Sequence, residues 1–382
     1  MALDPCNQIK IHIVMTIKID LRILFFIVFA LPIIAGAQNT WIADNRPGAP
    51  SGDFVATTLQ AAIDSASNGD IIHVIPSNTN YGSVTITKEL TIYGIGFNPD
   101  KDGPQRANCT NIFLNQGANN TRISGLNVTS ILYFNNSSGS YSLSNISIEN
   151  AEISRIFDSS GSTRFVSNVI IRNCIIGRSE FTNTDIIDFN LTNASSIILT
   201  NNVINGSRST STNVAGSISI SGAIIKNNLF LGDGGSNRYA FENVTNSTIS
   251  NNIFYGRSPE ARTTLSQNIF NSNLSFGTVN DSLPAAGTGS GNTGDGLNQQ
   301  GVDPLFVNVP IADQWLYTFD PTLTASSPAA GTGSDGTDIG ITGSTIPFST
   351  TGTPLPFIKV LNTSEVIKQG DDLQINVTAV GN

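Results

Sequence analysis

Residues 199–204 read Leu-Thr-Asn-Asn-Val-Ile, residues 225–230 Ile-Lys-Asn-Asn-Leu-Phe and residues 249–254 Ile-Ser-Asn-Asn-Ile-Phe. Two looser copies precede them, Ile148-Glu-Asn150-Ala-Glu-Ile153 and Ile171-Arg-Asn173-Cys-Ile-Ile176, and a degenerate one lies at Ile123-Ser-Gly125-Leu-Asn-Val128. Successive central positions (125, 150, 173, 201, 227, 251) are 25, 23, 28, 26 and 24 residues apart. A period near 25 with period-2 alternation inside each unit, and no 3.6-residue pattern, predicts strand-turn-strand units stacked as a parallel coil, each turn pairing with the next about 4.8 Å away. In such a coil Ile148, Ile171, Leu199, Ile225 and Ile249 form one inward column. Ile153, Ile176, Ile204, Phe230 and Phe254 form a second, ending in stacked aromatics. Asn150, Asn173, Asn201, Asn227 and Asn251 fall at the bend between them, where an amide tolerates unusual dihedrals and can bond to the copies above and below. A structural asparagine ladder is the first reading of that column and ligand binding the second. A Greek-key sandwich would not explain five Asn-centred copies in register.

Composition agrees with many short strands joined by polar turns. Of 382 residues, 12% are charged, 39% are hydrophobic and 43 are Asn. The chain is too apolar for disorder and too poor in helix formers for a bundle. A net charge of −9 argues against nucleic acid, which demands a basic face. Three Cys are too few for a disulfide scaffold.

Residues 16–37, TIKIDLRILFFIVFALPIIAGA, combine Lys18 and Arg22, a 12-residue apolar stretch from Ile23 to Ile34 and the small-x-small triplet Ala35-Gly36-Ala37. This is the pattern of a secretory signal peptide, with Met15 as start. The apolar core is shorter than the ~20 residues a membrane span needs. The expected organisation is a signal peptide at 1–37, a coil domain at 38–346 and a linker with the start of a further module at 347–382. The mature chain then carries a charge of −10, no membrane span, a single histidine (His73) and two cysteines (Cys109 and Cys174). The cysteines are read as packed thiols at turns, with a disulfide as the alternative. That inventory leaves no Cys/His catalytic pair or His-rich metal site.

Residues 57–67 place Leu59, Ala62, Ile63 and Ala66 at helical spacing, which predicts a short amphipathic helix over the open end of the coil. Asn68-Gly69-Asp70 stops it, and His73 follows as a surface residue of the first strand. This helix and the stretch GDIIHVIPSNTNYGSVTITKELTIYGIG (residues 69–96) resemble the opening of secreted bacterial right-handed parallel β-helix proteins of the pectin-lyase-like superfold. Asp303-Pro304-Leu305-Phe306-Val307 and Ser327-Pro328-Ala329 before Asp338-Ile339-Gly340 resemble their closing section. The resemblance spans about residues 40–345 and implies an all-β, right-handed parallel β-helix solenoid with an N-terminal capping helix. Phe357–Leu361 and Leu373–Val380, around Lys368-Gln-Gly-Asp-Asp372, resemble the opening strands of immunoglobulin-like modules. Two strands do not bury a sandwich core, so that C-terminal module is partial or docks on the coil.

The resemblance diagnoses the fold better than the activity, since this superfold hosts lyases, hydrolases, epimerases and adhesins. Its lyases act on uronic-acid polysaccharides by β-elimination, with an Arg or Lys as base and calcium on Asp and Glu. Thr184-Asp185-Ile-Ile-Asp188 resembles their acidic strand, with Glu180 and Asp158 as neighbours, which makes Asp185, Asp188 and Glu180 the candidate calcium ligands. In a regular strand, positions 185 and 188 point to opposite faces unless a bulge intervenes. Arg155, Arg178, Arg208 and Arg257 follow the inward residues of several turns and would line one edge of the same face. Interleaved acidic partners are the plainer reading of that row and a ligand carboxylate the sharper one, with Glu149 and Arg172 as a structural pair. Arg257-Ser-Pro259-Glu-Ala-Arg262 resembles the lyases' R-x-P-x-x-R string, without the Gly and His that follow it there, and their W-x-D-H string is missing. Arg208, Arg178 and Arg257 are the candidate bases. Asp335-Gly-Thr-Asp338 is read as a turn, with a cation site as the alternative. Two functions remain: a secreted or cell-surface, monomeric, non-catalytic module that presents a face to polysaccharide, acidic polysaccharide included, or a calcium-assisted polysaccharide lyase.

Overall fold

Runs of β-branched and aromatic residues, punctuated by Asn and Gly, build two or three strands per turn, most of them short and the longest nine residues. The computed structural model describes residues 38–98, 105–134, 138–159, 163–177, 185–206, 217–236, 238–284, 289–312 and 314–350, and the backbone strands Phe357–Thr363 and Ile375–Val380. From Asn39 onward they belong to one compact unit, Asn39–Asn382. The proposed signal segment 1–37 is outside the described residues.

The described residues of this unit form an all-β parallel solenoid with one helix. Its first face is a 12-stranded parallel ladder running from Val55–Ala56 to Thr293–Gly294. A second, branched sheet of 15 strands makes two further faces, and two of its strands, Asn127–Phe134 and Glu152–Asp158, belong to both. The second face starts at Asn108–Cys109, passes through Asn127 and Val128, then Glu152 and Ile153, to Ile175–Ile176, and continues through Val203–Asn205, Leu229–Leu231, Ile253–Tyr255 and Leu274–Phe276. The third starts at Val84–Ile86 and Ile112–Leu114, passes through Leu132 and Tyr133, then Ile156 and Phe157, to Ile187–Asp188, and continues through Ile218–Ser221, Tyr239–Thr245 and Ser258–Ser266.

Both inward columns are in register as the repeat implies. Ile123, Ile148, Ile171, Leu199, Ile225 and Ile249 are consecutive partners and fully buried. So are Ile153, Ile176, Ile204, Phe230 and Phe254, whose last two rings stack at 4.8 Å. The predicted helix is Leu59–Ser65. Thr58 Oγ1 accepts from Ala61 N–H at 3.1 Å, and Leu59, Ala62 and Ile63 are buried in the common core. Cys109 and Cys174 are separate buried thiols.

The asparagine column divides its work between neighbouring residues. Asn150, Asn173, Asn201, Asn227 and Asn251 have φ between 48° and 55°, the left-handed conformation that turns the chain from the first face to the second and that an amide side chain tolerates. The inter-turn amide ladder, however, starts at Asn202 and runs through the residue after the bend, since the residues after Asn150 and Asn173 are Ala151 and Cys174. Asn228 Oδ1 accepts from the backbone and side-chain N–H groups of Asn202, both at 3.0 Å, and Asn252 Oδ1 does the same for Asn228. Asn273 repeats the pattern on Asn252, and Asn298 on Asn273. Pairing on both sides of the bend fixes the direction of the side chain after it. That second amide is fully buried beneath its copies, while the first looks outward.

What the outward amides hold is the C-terminal segment. Asn201 Nδ2 donates to Ile341 O and Gly343 O, at 3.1 and 2.8 Å, and Asn251 Oδ1 accepts from Ser334 N at 2.8 Å. The segment lies over the second face, whose outer column is Ile175, Val203, Leu229, Ile253 and Leu274, and covers it with Trp315, Phe319, Ala329, Ile339, Ile341 and Phe348. Among the described residues there are thus two apolar cores, one inside the coil and one between the second face and its cover. Beyond it, Phe357–Thr363 and Ile375–Val380 pair antiparallel, the two strands the sequence suggests.

Candidate functional site

With the second face covered, open chemistry falls to the other two. The first face has a groove of about 560 Å³ over Ile170, Ile198 and Ile224, edged by Asn145, Ser147 and Asn168, with no ionisable residue in its lining. His73 lies on the outside of the first face and stacks on Tyr93 at 5.6 Å, and partial desolvation there holds its imidazole below its usual pKa. Glu149 lies between Arg122 (2.9 Å) and Arg172 (3.0 Å). The expected Glu149–Arg172 pair is therefore present, extended by Arg122 into a structural network.

The third face collects the titratable groups. Its outward register column is Phe113, Tyr133, Phe157, Asp188 and Ser219. Because strand residues alternate sides, these five project away from the core while Leu132, Ile156 and Ile187 project into it. Phe113 and Tyr133 stack at 4.9 Å, and Tyr133 meets Phe157 edge-on at 6.0 Å. One turn beyond the aromatics the stripe becomes acidic. Ile186 N–H and Ile187 N–H both donate to Ser217 O, at 3.0 and 2.9 Å. That two-for-one pairing is the signature of a bulge, and it resolves the problem of opposite faces: Asp185 Oδ2 accepts a short hydrogen bond from Ser219 Oγ, the register partner of Asp188.

Arg155 ties aromatics to carboxylates. Its guanidinium lies 4.5 Å over the Phe157 ring, its Nη2 is 3.6 Å from Asp188 Oδ2, and its Nε donates to Asp185 O at 2.8 Å. Asp158, almost fully buried, accepts from Asn190 N–H at 3.3 Å. On the following turns Arg262 Nε is 2.7 Å from Glu242 Oε2. Burial pushes the Asp185 carboxyl up to about 6; its bond from Ser219 opposes the shift, and the charges of Glu242 and Asp188 add to it. Asp188 is also raised, first by burial and then by Asp158 and Glu242, against Arg155.

Of the residues singled out in the sequence, Asp185 and Asp188 come together here. Arg178, Glu180 and Arg208 lie outside the described residues. Arg257 sits elsewhere: it is 1% exposed, and its Nη1 donates to Ser217 Oγ (3.0 Å) and Tyr239 O (2.9 Å). It fills the space over Gly206, where a Cβ would come within 1.0 Å of Arg257 Nη2. A guanidinium so enclosed braces the fold and does not reach a surface ligand. In the Asp335–Asp338 segment the carboxylates accept from Thr337 and Gly331 N–H groups, as in a plain turn.

Calcium asks for six to eight oxygen ligands. Among the described residues no group of three or more His, Cys, Asp or Glu is placed to hold a metal, Asp185 is engaged by Ser219 and Asp188 faces Arg155. Glu180, the third of the expected ligands, lies outside the described residues. Phe113, Tyr133, Phe157, Arg155, Glu242 and Arg262 were not foreseen as one group. The legible signal was alternation in Ile112-Phe-Leu114 and Leu132-Tyr-Phe134, where an aromatic takes the outward place between inward apolar residues. Among the described residues no helix is long and apolar enough to cross a membrane. Compared with known proteins, the chain matches no family model and no curated protein sequence.

Proposed function

We propose that this protein is a secreted or cell-surface glycan-binding module that takes a polysaccharide along its third face. The observation that supports the reading is the outward column Phe113–Tyr133–Phe157, which runs into Asp188 and Asp185. Sugar rings have apolar C–H faces that lie on aromatic rings and hydroxyl edges that seek carboxylates and guanidinium groups. A rise of about 4.8 Å per turn sets those partners out as a track along the solenoid axis. In the same reading residues 1–37 direct export, the coil is right-handed like the proteins its opening resembles, the helix Leu59–Ser65 closes the first turn, and residues from 347 onward begin an immunoglobulin-like module.

The test is equilibrium binding of the full mature chain to a panel of polysaccharides, set beside Tyr133→Ala and Phe157→Ala. At least one glycan is expected to bind, and each substitution to weaken it about tenfold or more, the size of one lost anchor. No binding across the panel, or binding untouched by both substitutions in folded protein, would sink the proposal. A polysaccharide lyase is the second reading, favoured by the bulge that brings Asp185 and Asp188 to one face beside Arg155. It requires release of ultraviolet-absorbing unsaturated uronides, assayed with calcium and with chelator.

A further inference from the structure

A second row of left-handed residues leads into the first face. Asn120, Asn145, Asn168, Ser196 and Gly222 stand there on successive turns with φ between 53° and 64°. Each lies two residues before the outward column Arg122, Ser147, Ile170, Ile198 and Ile224. The first three form an exposed amide ladder: Asn145 Nδ2 donates to Asn120 Oδ1 at 2.9 Å, and Asn168 Nδ2 to Asn145 Oδ1 at 3.3 Å. Every rung donates one turn back and accepts from the next, so the ladder ends at Asn168 on a carbonyl oxygen directed at the Ser196 turn. Ser196 offers a hydroxyl where an amide would continue the row, and Gly222 offers no side chain, although a Cβ there would meet nothing within 4 Å. Amides return at Asn246 and Gln267 with the same left-handed backbone. The gap between Asn168 and Asn246 opens onto the groove floored by Ile170, Ile198 and Ile224.

We propose that this groove binds a neutral sugar bearing an N-acetyl group, an N-acetylhexosamine, at a site separate from the third face and independent of the reading given to that face. Two features carry the argument. The final acceptor of the ladder calls for an N–H group, and the amide of an N-acetyl group supplies it as the next rung. The isoleucine floor lies two residues along each strand from that row, where the acetyl methyl and the C–H face of the ring can rest on it. The lining holds no ionisable residue, and the undescribed residues that precede these strands in the chain, 135–137 and 160–162, read Asn-Asn-Ser and Ser-Gly-Ser. A charged group would leave water there with no counter-charge in the lining. An unsubstituted hexose brings no methyl to the floor, and an acyl chain leaves the Asn168 carbonyl unanswered. An extended peptide has amides, but those facing one way recur at about 6.6 Å, out of step with turns about 4.8 Å apart. The gap of three turns, about 14 Å, has room for a sugar ring and its linkage to a neighbour.

The experiment is titration calorimetry of the full mature chain with three β-1,4-linked trimers: N-acetylglucosamine, its de-N-acetylated counterpart, and glucose. The acetylated trimer is expected to bind at least about tenfold tighter than either of the others, with little change when salt is raised from about 0.05 to about 0.5 M. Ser196→Asn is the decisive variant. Asn is at ease at the left-handed φ of 54°, and its amide takes the rung that the ligand would take. It is expected to weaken the acetylated trimer about tenfold or more while the melting temperature holds or rises. Ile198→Ser, which removes the middle of the floor, is expected to weaken it as well. Equal affinities for the acetylated and glucose trimers, or silence toward the acetylated one, would overturn the proposal and leave the third-face reading to its own panel. An acetyl preference that survives Ser196→Asn in folded protein would place the ligand on another face and overturn this site. Binding of a fluorescent fatty acid that Ser196→Asn leaves intact and Ile198→Ser abolishes, without response to the acetylated trimer, would overturn it in favour of an acyl chain.

Discussion

The second and third faces are built from the same coil and end in opposite surfaces. On the second, the outward column Ile175, Val203, Leu229, Ile253 and Leu274 is as apolar as the inward one, because Trp315, Ile339, Ile341 and Phe348 lie on it. On the third, the outward column carries aromatics and then carboxylates, and nothing in the described residues covers it with an apolar layer. The difference teaches how to tell a covered face from a working one. Of these two faces, the one that is apolar on both sides is part of the fold, and the one whose outward side is aromatic and charged is open to solvent.

The contrast breaks most sharply at Trp315. Trp315→Ala empties a nearly fully buried ring from the cover, and a loss of about 3–5 kcal/mol is expected in chemical denaturation. A loss below ~1 kcal/mol would mean that the cover is not part of the cooperative unit. Asn228→Ala removes five hydrogen bonds of the buried ladder, two accepted from Asn202 and three donated to Leu199 O, Lys226 O and Asn252. It should destabilise by about 2–4 kcal/mol, most of it from buried partners left unmatched. Asn227→Gly, which keeps the left-handed φ of 53° without strain, releases only two 3.3 Å contacts to the cover, to Asp338 O and Gly340 O, and should cost distinctly less.

On the third face the expected effects are smaller and depend on pH. Asp185 has a folded pKa of about 6, above its unfolded value near 3.9, so its protonation favours the folded state. The stability this contributes is complete below about pH 4 and is lost as pH rises through about 6. Asp185→Asn, which can still accept from Ser219, should therefore raise the melting temperature at pH 7 and leave it nearly unchanged at pH 4. Melting curves across that window check the sign, and equal effects at both ends would show that Asp185 is not raised. Smallest of all, Phe157→Ala should leave stability within about 1 kcal/mol, since the ring is only half-buried, while removing a sugar platform.

The acidic pair shows where sequence reasoning stopped. Asp185 and Asp188 were legible as candidates, but three-residue spacing in an ideal strand separates them. Only the shared carbonyl of Ser217, a residue 30 positions away, reunites them. The aromatics were legible one at a time. Phe113, Tyr133 and Phe157 became a group because turns of unequal length bring them into one register, and unequal spacing conceals a column from any fixed period. Arg257 illustrates the reverse: its motif drew attention to chemistry, and its neighbours Gly206 and Ser217 make it a brace. Val203-Ile204, Leu229-Phe230 and Ile253-Phe254 held a clue to the cover, since paired apolar residues in so short a strand bury both sides.

The sequence alone determined the coil, its period, both inward columns and the left-handed asparagine bends. Those are properties of local alternation and of residues that repeat, and each copy states them again. Tertiary structure decided which amide of each Asn-Asn pair builds the ladder, which face the C-terminal segment covers and which side chains share the remaining open surface. Those depend on contacts between residues many turns apart, whose partners are chosen by packing and hydrogen bonding in three dimensions and leave no periodic trace in the chain.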